Sequence, residues 1–256
     1  MITHTLAVRS VVERNIIFFK RDWVILLAGF VEPVFWLIAI AFGLSTFVDD
    51  VIVDGIAVEY TQFVVPGLIA TSALNAAAFD STFNFFFKLN QIKIFDAMLT
   101  TPLTIGNIVL GEVAWSVLRA TIYAGGFIAI AASFGYIDSW WGILILPVAS
   151  LIGFTISAVG IFSTTFVRNW HDFDYFGLAI QLLFIGSATF YPITVYPQWV
   201  QWLVYATPLY HGVAVCRSLA LGTVGVSDLG HLAAMLTIMA VFGLWAKTRL
   251  ARKLLS

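Results

Sequence analysis

The sequence predicts an all-α polytopic membrane protein that crosses the bilayer six times with both termini in the cytoplasm. Three observations lead there. Of 256 residues, 61% are hydrophobic and 11% charged, whereas a soluble domain needs roughly 25% charged residues to solvate its surface. Mean hydropathy is +0.96. The basic residues also fall on alternate loops between apolar stretches that approach the ~20 residues needed to cross hydrocarbon.

The first twenty-two residues read as an interfacial helix. Val8, Val11, Val12, Ile16, Phe18 and Phe19 gather on one side at helical periodicity, and Arg9, Ser10, Glu13, Arg14, Lys20 and Arg21 on the other. Asn15 on the apolar side and Ile17 on the polar side break the pattern. Charges spread through this segment argue against a cleavable leader. Extending it into the first span would drag four charges into lipid, so a helix lying on the surface is expected. The first span runs from Val24 to Leu44. The loop Ser45–Tyr60 carries Asp49, Asp50, Asp54 and Glu59 and no basic residue. The second span is Phe63 to Phe87. Beyond Lys88, Leu89, Ile92, Phe95 or Asp96, and Leu99 recur at helical spacing until Pro102 stops the helix. That apolar stripe is expected either to lie on lipid or to fill a groove on a soluble partner. Span three is Ile108 to Ala132 and span four Gly142 to Val167. Span five is short, Tyr175 to about Tyr191. Pro192, Pro197 and Pro208 forbid a continuous helix through Pro192–Gly222. Two short helices that dip into the membrane and return are expected there, packed against protein. Span six is Leu229 to Ala246.

Orientation follows from charge. Arg9, Arg14, Lys20, Arg21, Lys88, Lys93, Arg168, Lys247, Arg249, Arg252 and Lys253, eleven of the thirteen basic residues, fall on one side of a six-span chain, which is the cytoplasmic side. The other two are Arg119, inside span three, and Arg217, in the proline-broken segment. A net charge of −1 gives no reason to expect a nucleic-acid partner, and the lone Cys216 excludes an internal disulfide or a cysteine metal cluster.

No catalytic or metal-binding motif stands out. No lysine follows a glycine, so a phosphate-binding GxxxxGK[ST] loop cannot occur. His4, His171, His211 and His231 are dispersed, and His171, Asp172 and Asp174 read as a solvated turn. No internal repeat relates the two groups of three spans, unlike many secondary transporters. The ionisable residues at membrane depth are more telling: Glu32 before Pro33, Asp80, Glu112 and Arg119. A charge at the bilayer centre costs about 3 kcal/mol on insertion scales, so these residues should face the bundle interior. Glu112 and Arg119, seven apart, project from nearly one helix face. One of Glu32, Asp80 or Glu112 is expected to pair with Arg119 and hold helices together. Two rival readings remain at this level. One is a proton-coupled secondary transporter with these carboxylates as a relay; the other is an intramembrane enzyme, for which histidine partners are lacking.

Several segments in order resemble a known family: "EPVFWLIAIAFGL", "YTQFVVPGLIATSALNAAAFDSTF", "IFDAMLTTPLTIGNIVLGE", "FYPITVYPQWVQWLVYATPLYHGV" and "CRSLALG". Together they look like the membrane (permease) subunit of a type-2 bacterial ABC exporter, in its NodJ-like and drug-export permease branch. The likeness runs from Arg9 to about Gly222. It implies a single transmembrane permease domain over 1–256, with an interfacial helix at 1–22, a cytoplasmic coupling helix within 88–102 and an outer re-entrant segment at 191–222. It implies export of an amphipathic, drug-like, lipid-linked or saccharide substrate across the bacterial inner membrane. The chain would have no ATPase site of its own and no cofactor, with ATP and Mg bound by a separate cytoplasmic ABC ATPase. It also implies a second permease copy, identical or paralogous. On this resemblance Glu13, Arg14, Ile92, Phe95, Asp96, Leu99 and Pro102 border the ATPase, and Pro66–Gly67 match the family's "PG" near the outer end of span two. The resemblance, in which spans one, two and five form the pathway, also implies Phe35, Trp36, Asn75, Phe79, Gln181 and Phe184 as its lining here. Glu32 stands where the branch often has Asp, and the fourth loop carries Arg168, Asn169, Trp170 and His171; both depart from the nodulation-type pattern.

Overall fold

The computed structural model describes residues 4–21, 23–48, 50–53, 55–137 and 139–255, with side chains except those of residues 23, 25–29, 32, 33, 251 and 253–255. Ten α-helices appear among them: α1 His4–Arg21, α2 Trp23–Ile38, α3 Tyr60–Phe79, α4 Ile94–Leu99, α5 Ile105–Ser133, α6 Ile145–Thr164, α7 Asp172–Gly186, α8 Gln198–Tyr205, α9 Pro208–Leu221 and α10 Val226–Leu255. Four helical runs are long and apolar enough to cross a membrane: Tyr60–Gln91, Ile105–Ser133, Trp140–Thr164 and Val226–Leu250. They coincide with the second, third, fourth and sixth expected spans. At the first, α2 continues through a π-helical turn, Ala39–Gly43. At the fifth, α7 has 15 residues, fewer than the ~20 a full crossing requires.

α3 is the centre of the bundle. Almost every residue from Tyr60 to Ala78 is buried, with α5, α6 and α9 packed around it. Small side chains make this possible, because helices in lipid associate by close backbone approach rather than by excluding water. Ala70, Ala73, Ala76 and Ala77 lie in the core. A methyl added at Gly153 of α6 would come within 2.9 Å of the Ala120 methyl of α5, and one at Gly160 would collide with Ser81.

The chain departs from the expected pattern at three places. The acidic loop contains a two-stranded antiparallel hairpin, β1 Val51–Val53 paired with β2 Ile56–Val58. Gly55, at φ +83°, supplies the left-handed turn position, and a β-branched run ended by Asp54–Gly55 is the hairpin signal in the sequence. Second, α1 docks on protein as well as facing outward. Its buried stripe is Ala7, Val11 and Asn15, while Ile17 and Phe18 point away. A Cβ on Gly111 of α5 would lie 2.5 Å from that of Val11, so α1 sits directly on the α5 backbone. Third, the stripe of the 88–102 loop packs partly inward: Leu89 and Phe95 are buried, whereas Ile92 is exposed. Phe95 is fully buried against Phe85, Leu89, Ile108 and Leu250, with Leu99 packed on the same cluster.

In the proline-broken region, α8 and α9 are separated at Ala206–Thr207 and Pro208 opens α9. Gly222, at φ +75°, ends it.

Candidate functional site

Two ion-pair rungs join the α3 run to α5. In the deeper rung, Arg119 Nη1 donates to Asp80 Oδ1 at 2.7 Å, both side chains being almost fully buried. Asn84 Nδ2 donates to the same oxygen at 2.6 Å. The guanidinium lies 4.8 Å from the Phe19 ring and 5.4 Å from that of Tyr123, so aromatic faces supply part of its solvation. Of the expected partners for Arg119, the structure selects Asp80.

The second rung is a three-helix junction. Glu112, 4% exposed, accepts from Arg14 of α1 at 2.6 Å through one carboxylate oxygen and from Lys88 at 2.5 Å through the other. Asn15 Oδ1 accepts from Lys88 Nζ and from Arg14 Nη2, both at 3.0 Å. Arg14 Nη1 also contacts Met98 Sδ of α4 at 2.8 Å. Two cations therefore share one buried carboxylate, and one of them touches the short helix that ends the loop. Asn15, out of place on an amphipathic wheel, is the neutral bridge between those cations.

Local backbone sets the spacing. Asp80 and Lys88 each sit in a π-helical turn, Asp80–Asn84 and Phe87–Gln91. π-Turns hold an extra residue and recur at functional positions. Here they let residues eight apart on one helix oppose Arg119 and Glu112, seven apart on a regular α-helix. Thr104 caps α5 by accepting from Asn107 N, and His4 of α1 meets Asn107 Oδ1 at 3.0 Å. Together with Phe19 on Trp115, these contacts clamp α1 along the first turns of α5.

The remaining candidate residues are dispersed around this centre. Glu13 pairs with Arg9 at 2.6 Å on the exposed side of α1. Ile92, Asp96 and Pro102 form the outward side of the loop, whereas Phe95 anchors it. The Glu32 side chain lies outside the described residues. Phe35 is exposed and Asn75 half-buried; Phe79 stacks on Phe83, and Gln181 is exposed. Trp36 and Phe184 meet edge-to-face at 5.6 Å and share Phe190 as a neighbour, which ties α2 to α7. Asp172 closes the turn before α7 by accepting from the amides of Arg168 and Asn169, which hold its carboxyl below the ordinary range.

A second buried centre was not singled out by sequence. Arg217 of α9 donates to the carbonyls of Phe63 at 3.0 Å, Ala188 at 2.9 Å and Thr189 at 3.4 Å, with its guanidinium 3.7 Å from the Phe63 ring. The segment it binds crosses closely over Gly67, where a methyl would meet Thr189 Cγ2 at 2.9 Å. The Pro66–Gly67 pair is therefore a landing place for the chain leaving α7. Histidines dispersed in sequence also meet: the Nδ1 atoms of His211 and His231 are 2.8 Å apart, with no third metal-type ligand among the described residues.

Residues 7–221 match the family described as ABC-2 type transporter. Nodulation protein J of Rhizobium leguminosarum bv. trifolii is 32% identical over 95% of this chain and 92% of its own length. Nodulation protein J of Sinorhizobium fredii (strain NBRC 101917 / NGR234) is 31% identical over 96% and 94%, respectively. The inner membrane transport permease YadH of Escherichia coli (strain K12) is 25% identical over 87% and 84%.

Proposed function

Since this chain belongs to the ABC-2 type transporter family and is an ABC transporter membrane subunit, we propose that it forms the export pathway of an ATP-driven exporter, coupled to its ATPase through the Glu112 junction. On this reading the chain crosses the inner membrane six times, α2 and α7 supplying the first and fifth crossings. Both termini and the 88–102 loop face the cytoplasm, where the basic residues lie. The proline-broken α8–α9 segment forms an outer gate held to α3 by Arg217. ATP and Mg belong to the partner ATPase. The substrate class is amphipathic, drug-like, lipid-linked or saccharide.

The observation that carries the reading is the convergence of α1, α4 and the inner ends of α3 and α5 on one buried carboxylate. An ATPase pushing on the outward side of α4, at Ile92, Asp96 and Pro102, would move Phe95 within its core socket and Met98 against Arg14. Glu112 then passes that displacement to α5, and Lys88 passes it to α3. Glu13 presents the exposed side of α1 to the same partner. A second permease copy would meet the faces of α2 and α7 that carry Phe35 and Leu182, both more than 60% exposed, and Phe79, Asn75 and Gln181 would border the path between them.

The test is purification of the tagged full-length chain from its native membrane in mild detergent. A stoichiometric ATPase with orthovanadate-sensitive activity is expected. A monodisperse preparation with no ATPase partner under several detergents would defeat the proposal.

A further inference from the structure

A groove of about 610 Å³ opens between α5, α6 and α10, on the side of the bundle where α10 packs on α6 and α9. Its volume falls in the ~300–1,000 Å³ range of small-molecule sites. Val113 of α5, Phe154 and Ala158 of α6, and Leu236 and Met239 of α10 make an almost wholly apolar wall. Gly243, also in the wall, leaves the groove open, because its nearest neighbour to an added Cβ is the Ala158 methyl at 4.0 Å. The single charged residue in the lining is Lys247, at one end. Gly106, in the first turn of α5, lines that same end, so the partial positive charge of the helix N-terminus adds to the lysine. Among the described residues no carboxylate pairs with Lys247.

We propose that this groove binds one anionic glycerophospholipid, an acyl chain lying along the wall and the phosphate held at Lys247. Length selects this occupant. From Leu236 to Lys247 the groove follows α10 for eleven residues, about 16 Å at 1.5 Å per residue. That is about half of the ~30 Å hydrocarbon thickness, the depth of one leaflet. An acyl chain hanging from a headgroup fills one leaflet, whereas a transmembrane helix of a second copy would need a groove along the full thickness. Charge selects the headgroup, since the one cation that lines the groove, with an apolar trough beneath it, complements a phosphate joined to a hydrocarbon tail; Arg249 and Arg252 border the adjoining pocket instead. On the orientation proposed above, this mouth faces the cytoplasmic leaflet, whose anionic lipids concentrate at basic sites. The site depends on α10 spanning the bilayer and is independent of the ATPase.

Native mass spectrometry of the purified chain, titrated with phosphatidylglycerol and with phosphatidylcholine of identical acyl chains, tests this. At least a fivefold preference for phosphatidylglycerol is expected. Lys247→Gln, a change at an exposed position, should reduce that preference at least threefold while leaving phosphatidylcholine binding unchanged. Gly243→Phe, which fills the trough, should weaken both lipids, with retained thermal stability showing that the chain is folded. Glycerol phosphate, which lacks a tail, should not compete. Equal binding of the two lipids by the unaltered chain, or a preference that survives Lys247→Gln, would overturn the proposal. So would disulfide cross-linking between copies carrying Gly243→Cys in a Cys216→Ser background, which would mean that a protein helix occupies the groove.

Discussion

Replacing Glu112 by Gln tests the junction with the smallest change of shape. The carboxylate is 5% exposed and is met by Arg14 and Lys88, whose side chains are 29% and 17% exposed. A hydrogen bond to a charged group contributes about 1.5–3 kcal/mol, and breaking a fully buried ion pair costs about 3–5 kcal/mol. Both cations retain some access to water and Asn15 stays as an acceptor, so the lower part of that range applies, about 2–3 kcal/mol. The glutamine oxygen can keep one of the two bonds, while its NH2 group turns a donor toward the other cation. Loss of apparent thermal stability in detergent should accompany a larger effect on coupling. Basal ATPase activity of the reconstituted complex should persist while its stimulation by transported substrate falls at least fivefold. Lys88→Met should rescue part of the stability of Glu112→Gln by removing the cation left without a partner, and should not rescue coupling. Wild-type stability and stimulation in Glu112→Gln would refute the reasoning, because a carboxylate that can be neutralised without effect cannot be the link between α1, α3 and α5.

The other expectations concern single contacts. Arg119→Met strands the Asp80 carboxylate in the core and should cost about 3–5 kcal/mol; Asp80→Asn combined with it should cost less than the sum of the two single changes in a thermal-stability cycle. Phe95→Ala with Leu99→Ala empties the socket between Phe85 and Leu250, costs about 3–5 kcal/mol for the Phe alone, and should leave the ATPase unresponsive to substrate; unchanged stimulation would refute the role of α4. Gly111→Ala forces α1 away from α5 at Val11, and overpacking of this kind costs about 1–3 kcal/mol; Val11→Gly, which removes the clashing Cβ, should restore part of the melting temperature, whereas Val11→Ala, which keeps it, should restore less. Glu32→Gln should impair vesicle export more than Glu59→Gln, because Glu32 falls within an apolar stretch and Glu59 precedes α3; equal export by the two would remove Glu32 from the mechanism.

Much of this architecture was legible because bilayer insertion imposes a strong one-dimensional signal. Length and apolarity placed the four spanning runs Tyr60–Gln91, Ile105–Ser133, Trp140–Thr164 and Val226–Leu250 within a few residues of their ends, and prolines marked the broken segment that follows α7. Pairing was less legible. Arg119 could be expected to find a carboxylate, since a lone charge at that depth is too costly, but periodicity cannot choose among carboxylates on other helices. The choice is made by the π-turns at Asp80 and Phe87, and local sequence gives little warning of a π-turn. Asn15 shows the opposite case. It read as a flaw in an amphipathic pattern because that pattern assumes a lipid surface; against α5, a polar residue in the buried stripe joins two cations. The loop stripe at Phe95 was visible, yet its direction was not, because a helical repeat says that an apolar face is covered without saying by what. Arg217 carried a signal that went unused: an arginine within an apolar segment has to be satisfied somewhere. Its partners are backbone carbonyls, whose positions composition does not encode.

On the proposed reading, the two rungs would let the inner end of the bundle act as a lever while its centre stays fixed. Arg119 and Glu112 are seven residues apart on α5, about 10 Å at 1.5 Å per residue. The deeper pair sits among aromatic rings, where moving either charge would expose it to an apolar surround. The shallower one is formed by two long, flexible cations with partial access to water. A displacement at α4 can therefore shift Arg14 and Lys88 around Glu112 without separating Asp80 from Arg119. On the proposed reading α3 and α5 would pivot about the Asp80 rung as a unit, so movement at the loop becomes tilt at the other end. That end is where Arg217 fastens the segment after α7 to the first turn of α3. Weakening the shallow rung should then change how well ATP hydrolysis is coupled, and weakening the deep rung should change whether the subunit assembles at all.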